Sequence, residues 1–166
     1  PAEKRDIIRF TIAGPEKGSF GRQAPAVSPD GKGVAFVASD SSGKSSIWIR
    51  TFATLAARPL PGTDDASFPF WSFDSRFVAF FSDGKLKKID LNGSPSQTIC
   101  EAPEGRGGSW GSAGIIIFAP NYGSGIQQVS AAGGVPSYVT FLDSTLREDS
   151  HRWPCFLADG KSFLYL

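Results

Sequence analysis

The chain has 166 residues and a net charge of +1, with 40% hydrophobic and 20% charged side chains. That balance specifies a globular fold with a real core and excludes a disordered segment. It gives no electrostatic basis for binding nucleic acid or an anionic membrane, and no apolar stretch approaches the ~20 residues of a membrane helix.

The first ten residues, PAEKRDIIRF, are charged and lack the apolar run of a signal peptide. With Pro at position 1 and no Met, the chain reads as cut from a longer protein. Residues 6–13 (DIIRFTIA) alternate like a strand but have no unit of their own. In a closed ring of repeats such a segment supplies the outer strand of the last unit.

Residues 25–36 (PAVSPDGKGVAF) open a repeat. A gap-free relative, PFWSFDSRFVAF, follows 44 positions later at 69–80, and PCFLADGKSFLY lies 129 positions after the first, at 154–165. A degenerate copy, GSWGSAGIIIFAP, fills the gap, with Trp110 in register with Trp71 and Phe118 with Phe80. Val27, Trp71, Trp110 and Phe156 share one register position, at spacings of 44, 39 and 46.

Each unit reads as four short strands. In the first they are APAVS, GVAFVA, SSIWIRTF and ARPLPG; in the second, FPFWSF, RFVAFF, KLKKIDL and SQTIC; in the third, GSWGS, GIIIFA, GIQQVSA and PSYVTF. The fourth stops after its second strand, SFLYL. No segment shows a helical period. The approximate units are 22–62, 66–100, 105–141 and 151–166.

Four-stranded units of about 40–45 residues specify a β-propeller blade. The second strands are apolar at successive positions, so both of their faces must be buried, as in a blade held between two neighbours. The expected fold is therefore all-β: a propeller segment of about four antiparallel blades, the last truncated. Asp30, Asp74 and Asp159 recur once per unit at the turn between the innermost strand and the next, which makes them scaffold.

These residues carry a resemblance. The run from Ser28 to Lys32, followed by Val34, Ala35 and Phe36, resembles the WD-repeat-like propeller unit of the TolB family of periplasmic proteins, which also occurs in prolyl-oligopeptidase-type enzymes. The phrases ARPLPGTDDASFPFWSFDSRFVAFF, DGKLKKIDL, SAAGG and SHRWPCFLADGKSFLYL more closely resemble the propeller that follows the kinase domain in some membrane-anchored bacterial serine/threonine kinases. The resemblance runs from about Ile7 onward and implies a periplasmic or extracellular location. The third unit departs from the pattern, with Ala113 in place of Asp and a shorter turn.

Several motifs are decoys. The run from Gly107 to Gly111 matches G-x-S-x-G, but another strand follows Ser109 where a nucleophile elbow needs a helix. Gly43-Lys44-Ser45 lacks the earlier Gly of a phosphate loop, since position 38 is Ala. Asp64-Asp65 is an isolated acidic pair, and Asn92-Gly93-Ser94 is first a turn. Cys100 and Cys155 lack metal spacing and sit on different strand types two units apart, so both are expected as buried free thiols. No cofactor or metal is called for.

The candidate site comes from the register. Counting back five and four positions from Val27, Trp71, Trp110 and Phe156 reaches Arg22-Gln23, Ala66-Ser67, Gly105-Arg106 and His151-Arg152, on the connections entering each innermost strand. Those connections open at one mouth of a propeller channel. Arg22, Gln23, Ser67, Arg106, His151 and Arg152 there would suit a carboxylate or phosphate. Alternatively, the arginines cross-link adjacent blades through backbone carbonyls.

The expected function is a noncatalytic binding or interaction module, the extracytoplasmic sensor part of a larger protein such as a kinase. A TolB-like interaction protein and the substrate-gating propeller of a serine peptidase are the alternatives. The expected partner is a protein or a small anionic ligand. The truncated fourth unit suggests bare blade faces and a two-fold homodimer of half-propellers.

Overall fold

The computed structural model describes residues 11–54, 56–92 and 94–166. The first blade contains β1 (Ser19–Phe20), β2 (Ala26–Val27), β3 (Gly33–Ser39), β4 (Ser45–Thr51) and β5 (Arg58–Pro59). Both β1 and β2 pair with β3, so the innermost strand is split around a break. The second blade is β6 (Ser67–Trp71), β7 (Phe77–Ser82), β8 (Lys85–Asp90) and β9 (Gln97–Glu101). The third is β10 (Gly108–Trp110), β11 (Ile115–Phe118), β12 (Gln127–Ser130) and β13 (Ser137–Tyr138). The fourth is the hairpin β14 (Cys155–Phe156) and β15 (Phe163–Leu164). Within each blade the strands pair antiparallel in chain order, innermost to outermost. The protein is thus an all-β propeller segment.

Side-chain alternation on the second strand of each blade builds the core. Val78 and Phe80 of β7 pack with Ala35, Ile47, Ile49 and Trp71 between the first two blades. Ala79 and Phe81 point the other way, onto Ile116 and Phe118 of β11. Ile117 and Ala119 then meet Phe156 and Phe163 of the fourth unit. A period of two with both parities apolar produces a strand buried on both faces.

The shared aromatic position bridges adjacent blades. The Trp71 indole N–H donates to the Ala26 carbonyl (2.9 Å), and Trp110 stacks on Phe77 with ring centroids 6.0 Å apart. Val27 holds the same position in the first blade and is 58% exposed.

The turn that opens each repeat is a hydrogen-bonded scaffold. Ser28 donates to Asp30 (2.6 Å), whose carboxylate accepts from the Lys32 amide, while Ser28 Oγ accepts from Gly33. Ser72, Asp74, Arg76 and Phe77 repeat this arrangement. In the fourth unit Asp159 accepts from Lys161 and Ser162. All four turns place a residue in the left-handed region: Gly31, Ser75, Gly114 and Gly160.

These bonds hold the three carboxyls below the usual Asp range: chiefly the Ser28 hydroxyl for Asp30, the Ser72 hydroxyl for Asp74 and the Lys161 amide for Asp159. A depressed folded pKa contributes stability that is full above the unfolded value, about 3.9, and is lost as pH falls through the folded value. Thermal melts of Asp30→Asn/Asp74→Asn should therefore show a flatter loss of stability below about pH 4 than wild type. Parallel curves would remove these turns from the acid response.

Two expectations change. Residues 6–10 of the stray strand lie outside the described residues, and 11–13 form no strand. The outer face of the first blade is not bare: Val34, Phe36 and Ala38 are buried, with Ile12, Trp48, Phe52 and Ala57 packed against them. Ile12 thus packs on the face of the first blade turned away from the second. Bare positions occur at the fourth unit, where Leu164 is 63% and Leu166 78% exposed.

Candidate functional site

The repeat register brings the connections into the innermost strands to one end of the channel, but their side chains divide into two groups. Arg22 is exposed and Gln23 half-buried at the break between β1 and β2. Ser67 opens β6, its hydroxyl directed at the Phe81 carbonyl (3.4 Å).

Arg106 and Arg152 belong to neighbouring connections, joined where the Trp153 amide donates to the Arg106 carbonyl (3.1 Å). The Arg106 guanidinium lies 3.6 Å above the Tyr122 ring centroid and 5.7 Å from that of Phe68. Arg152 lies over Trp153, at 5.0 Å. The Nε of each arginine is buried and has no hydrogen-bond partner among the described residues. Aromatic stacking holds the planar fork of Arg106 in place.

His151 is a correction. It is 3% exposed and packed between the third and fourth units, with Nδ1 2.8 Å from Thr140 Oγ1 and Nε2 3.1 Å from a Glu148 carboxylate oxygen. Its ring lies 4.5 Å from that of Tyr165. Thr140 Oγ1 already accepts the Ile126 amide (2.7 Å). The assignment that satisfies every group has the Thr140 hydroxyl donating to Nδ1 and the Nε2 proton donating to Glu148. With both nitrogens occupied and the ring buried, His151 clamps two blades and does not face a ligand.

Arg106 closes one side of a polar cavity of about 290 Å³ between the second and third blades. Ser67, Ser82, Asp65, Asp83 and Glu104 also line it. Asp83 is bound to Lys87 (2.6 Å), while Asp65 and Glu104 are exposed. Three carboxylates beside one guanidinium make this a mixed-charge surface.

One step deeper along each innermost strand lies a position that the register count passed over. Ala24, Phe68, Gly107 and Trp153 are equivalent and line a cavity of about 190 Å³ at the axis. Phe68, Gly107 and Trp153 all have positive φ, a left-handed kink that is uncommon for the two aromatics. Counting back three positions from Trp71 and Phe156 would have found both aromatics. Tyr122 sits on the loop after β11, where no repeat signal points. The opposite end of the channel is apolar, a cavity of about 380 Å³ lined by Val27, Phe73, Trp110 and Leu157 among others.

The decoy residues have structural partners. Ser109 Oγ accepts the Phe156 amide (3.1 Å), tying the third unit to the fourth. Lys44 pairs with Asp64 (2.9 Å) on the exposed hairpin. Both cysteines are free; Cys100 is buried, and burial pushes its thiol up to about 11. Cys155, expected to be buried, is exposed on β14.

No protein-family model and no curated protein matches the chain. Solved structures do. TolB from Acinetobacter baumannii is similar at a TM-score of 0.69 and 19% identity, over 86% of this chain and 37% of that one. The β-propeller domain of Cps50 (Swd1) from Myceliophteria thermophila is similar at 0.62 and 17% identity, over 89% and 51%. The β-propeller domain of the Trilobed protease from Pyrococcus furiosus, described as an open velcro topology, is similar at 0.53 and 22% identity, over 72% and 43%. The chain thus spans about a third to a half of these proteins, and identities this low show the shared fold alone.

Proposed function

We infer that this segment is a noncatalytic protein-interaction propeller whose partner docks at the mouth carrying Arg106 and Arg152. The observation that carries this reading is the Arg106 guanidinium, stacked on Tyr122 at the edge of a mixed-charge cavity. A side chain already ordered before binding loses little entropy when it meets a carboxylate or carbonyl of a partner.

The similarity to TolB and the kinase-propeller phrases support an extracytoplasmic module, the sensor part of a membrane-anchored serine/threonine kinase. The protease propeller among the similar structures supports a second reading, a propeller that screens access to a peptidase. The flanking reading frame separates them: an upstream kinase domain and membrane helix favours the first, a downstream hydrolase domain the second.

The docking surface is tested in the full-length parent protein with a photo-cross-linking residue in place of Glu104, which is exposed and lines the cavity. One discrete protein adduct is expected, reduced at least about fivefold by Arg106→Ala, since buried charged contacts are worth more than 1 kcal/mol. An adduct indifferent to Arg106→Ala, or none, would overturn the assignment.

A further inference from the structure

We propose that the outer rim of the third blade, around Tyr138, Phe141 and Leu146, is a docking surface for an extended protein segment with apolar side chains flanked by Lys or Arg. The second and third blades can be compared position by position. Tyr138 pairs with Gln127, and Thr98 pairs with Lys87 at the equivalent place in the second blade. Three residues further on, Phe141 stands where the second blade has Glu101. Two polar rim positions have thus become aromatic in one blade. Phe141 is 77% and Tyr138 45% exposed, with ring centroids 5.9 Å apart. Propeller architecture does not require this, because the second blade closes its outer edge with Thr98 and Glu101.

The connection leaving this rim is also enlarged. Ten residues (141–150) separate Thr140 from His151, where four (101–104) separate Cys100 from Gly105. The added residues are built into a definite shape. The 3₁₀ turn Ser144–Leu146 is capped by Asp143, which accepts from the Thr145 amide (2.8 Å). Glu148 accepts from the Asp143 amide (2.7 Å) and from His151, which anchors the loop base in the blade interface. The turn holds Leu146 outward, 71% exposed and five residues from Phe141.

Charge sets the partner's chemistry. The loop carries Asp143, Glu148 and Asp149 against Arg147 alone, three negative charges to one positive. An apolar surface with an acidic border attracts a segment whose apolar residues are bordered by cations and repels an acidic one. The outer edge of β13, the outermost strand of its sheet, offers an extended segment backbone groups to pair with.

The test uses two labelled peptides of about a dozen residues, one alternating Leu and Lys, the other Leu and Glu, read by fluorescence anisotropy. The variant Tyr138→Thr/Phe141→Glu gives the third blade the second blade's own residues, and Leu146→Ser is an independent variant. Both are used with melting curves matching wild type. The Leu-Lys peptide is expected to bind wild type, at least about tenfold more weakly to either variant, and several-fold more weakly at high salt. Arg106→Ala should leave its binding unchanged, which separates this surface from the channel mouth. Equal binding of the Leu-Glu peptide, binding indifferent to both variants, or no binding would overturn the proposal. So would association with phosphatidylcholine vesicles, or a wild-type dimer lost in the variants, which would identify a lipid surface or a second copy as the occupant.

Discussion

Phe80→Ala should destabilise the protein by about 3–5 kcal/mol, the range for a buried Phe truncated in a packed core. Phe80 is fully buried on β7, between Val78 and Ile89 of its own blade and Ala35 and Ile47 of the first. Rigid strands on both sides prevent collapse into the cavity, so the transfer and cavity costs both apply. Tyr165 holds the same register position in the fourth unit, yet it is 41% exposed and packs on His151 and Phe163. Tyr165→Ala should therefore cost clearly less. Urea unfolding of both variants checks the pair, with the midpoint moving at constant slope. A Tyr165→Ala cost equal to that of Phe80→Ala would mean that the fourth unit is as tightly packed as the second.

The repeat was legible because its physical cause is local. Each blade needs an apolar strand buried on two faces and a tight turn, and both leave short patterns, VAFVA after SPDGK and FVAFF after SFDSR. The same locality explains the failures. The split of the first innermost strand into β1 and β2 depends on pairing with β3 at two separate places, which no run of neighbours encodes.

The candidate mouth was half legible. Counting back from the aromatic position reached Arg106 and Arg152 because the register fixes the strand end. It could not say where a side chain turns, and His151 turns into the blade interface. Its partners Thr140, Glu148 and Tyr165 come from the connection just past β13, a loop insertion and the end of the fourth unit, so only the assembled fold brings them together. Tyr122 was hidden for the same reason, since its partner Arg106 lies on another connection.

Gly125→Ala is expected to destabilise by about 1–3 kcal/mol, through overpacking and not through backbone strain. A methyl at this buried position would stand 2.0 Å from the Thr140 carbonyl oxygen and 3.0 Å from Thr140 Oγ1. The backbone there is not left-handed, so Ala would ordinarily gain about 0.4–1 kcal/mol from a less flexible unfolded chain. The steric cost exceeds that gain because the obstacle is main chain, just past β13, whose Thr140 amide donates to the Ile126 carbonyl (3.3 Å). Gly123, two residues earlier, supplies the control: nothing lies within 4 Å of its added methyl, so Gly123→Ala should be neutral or slightly stabilising. The two variants also separate at a distance. Pushing Thr140 outward disturbs the hydroxyl that accepts from Ile126 and donates to His151. His151 is the one histidine of the chain, so its imidazole proton resonances are unambiguous. They should shift in Gly125→Ala and stay in place in Gly123→Ala. A Gly125→Ala protein with wild-type stability and unmoved His151 resonances would show that the Thr140 main chain yields to the methyl, and that the clamp does not depend on this close approach.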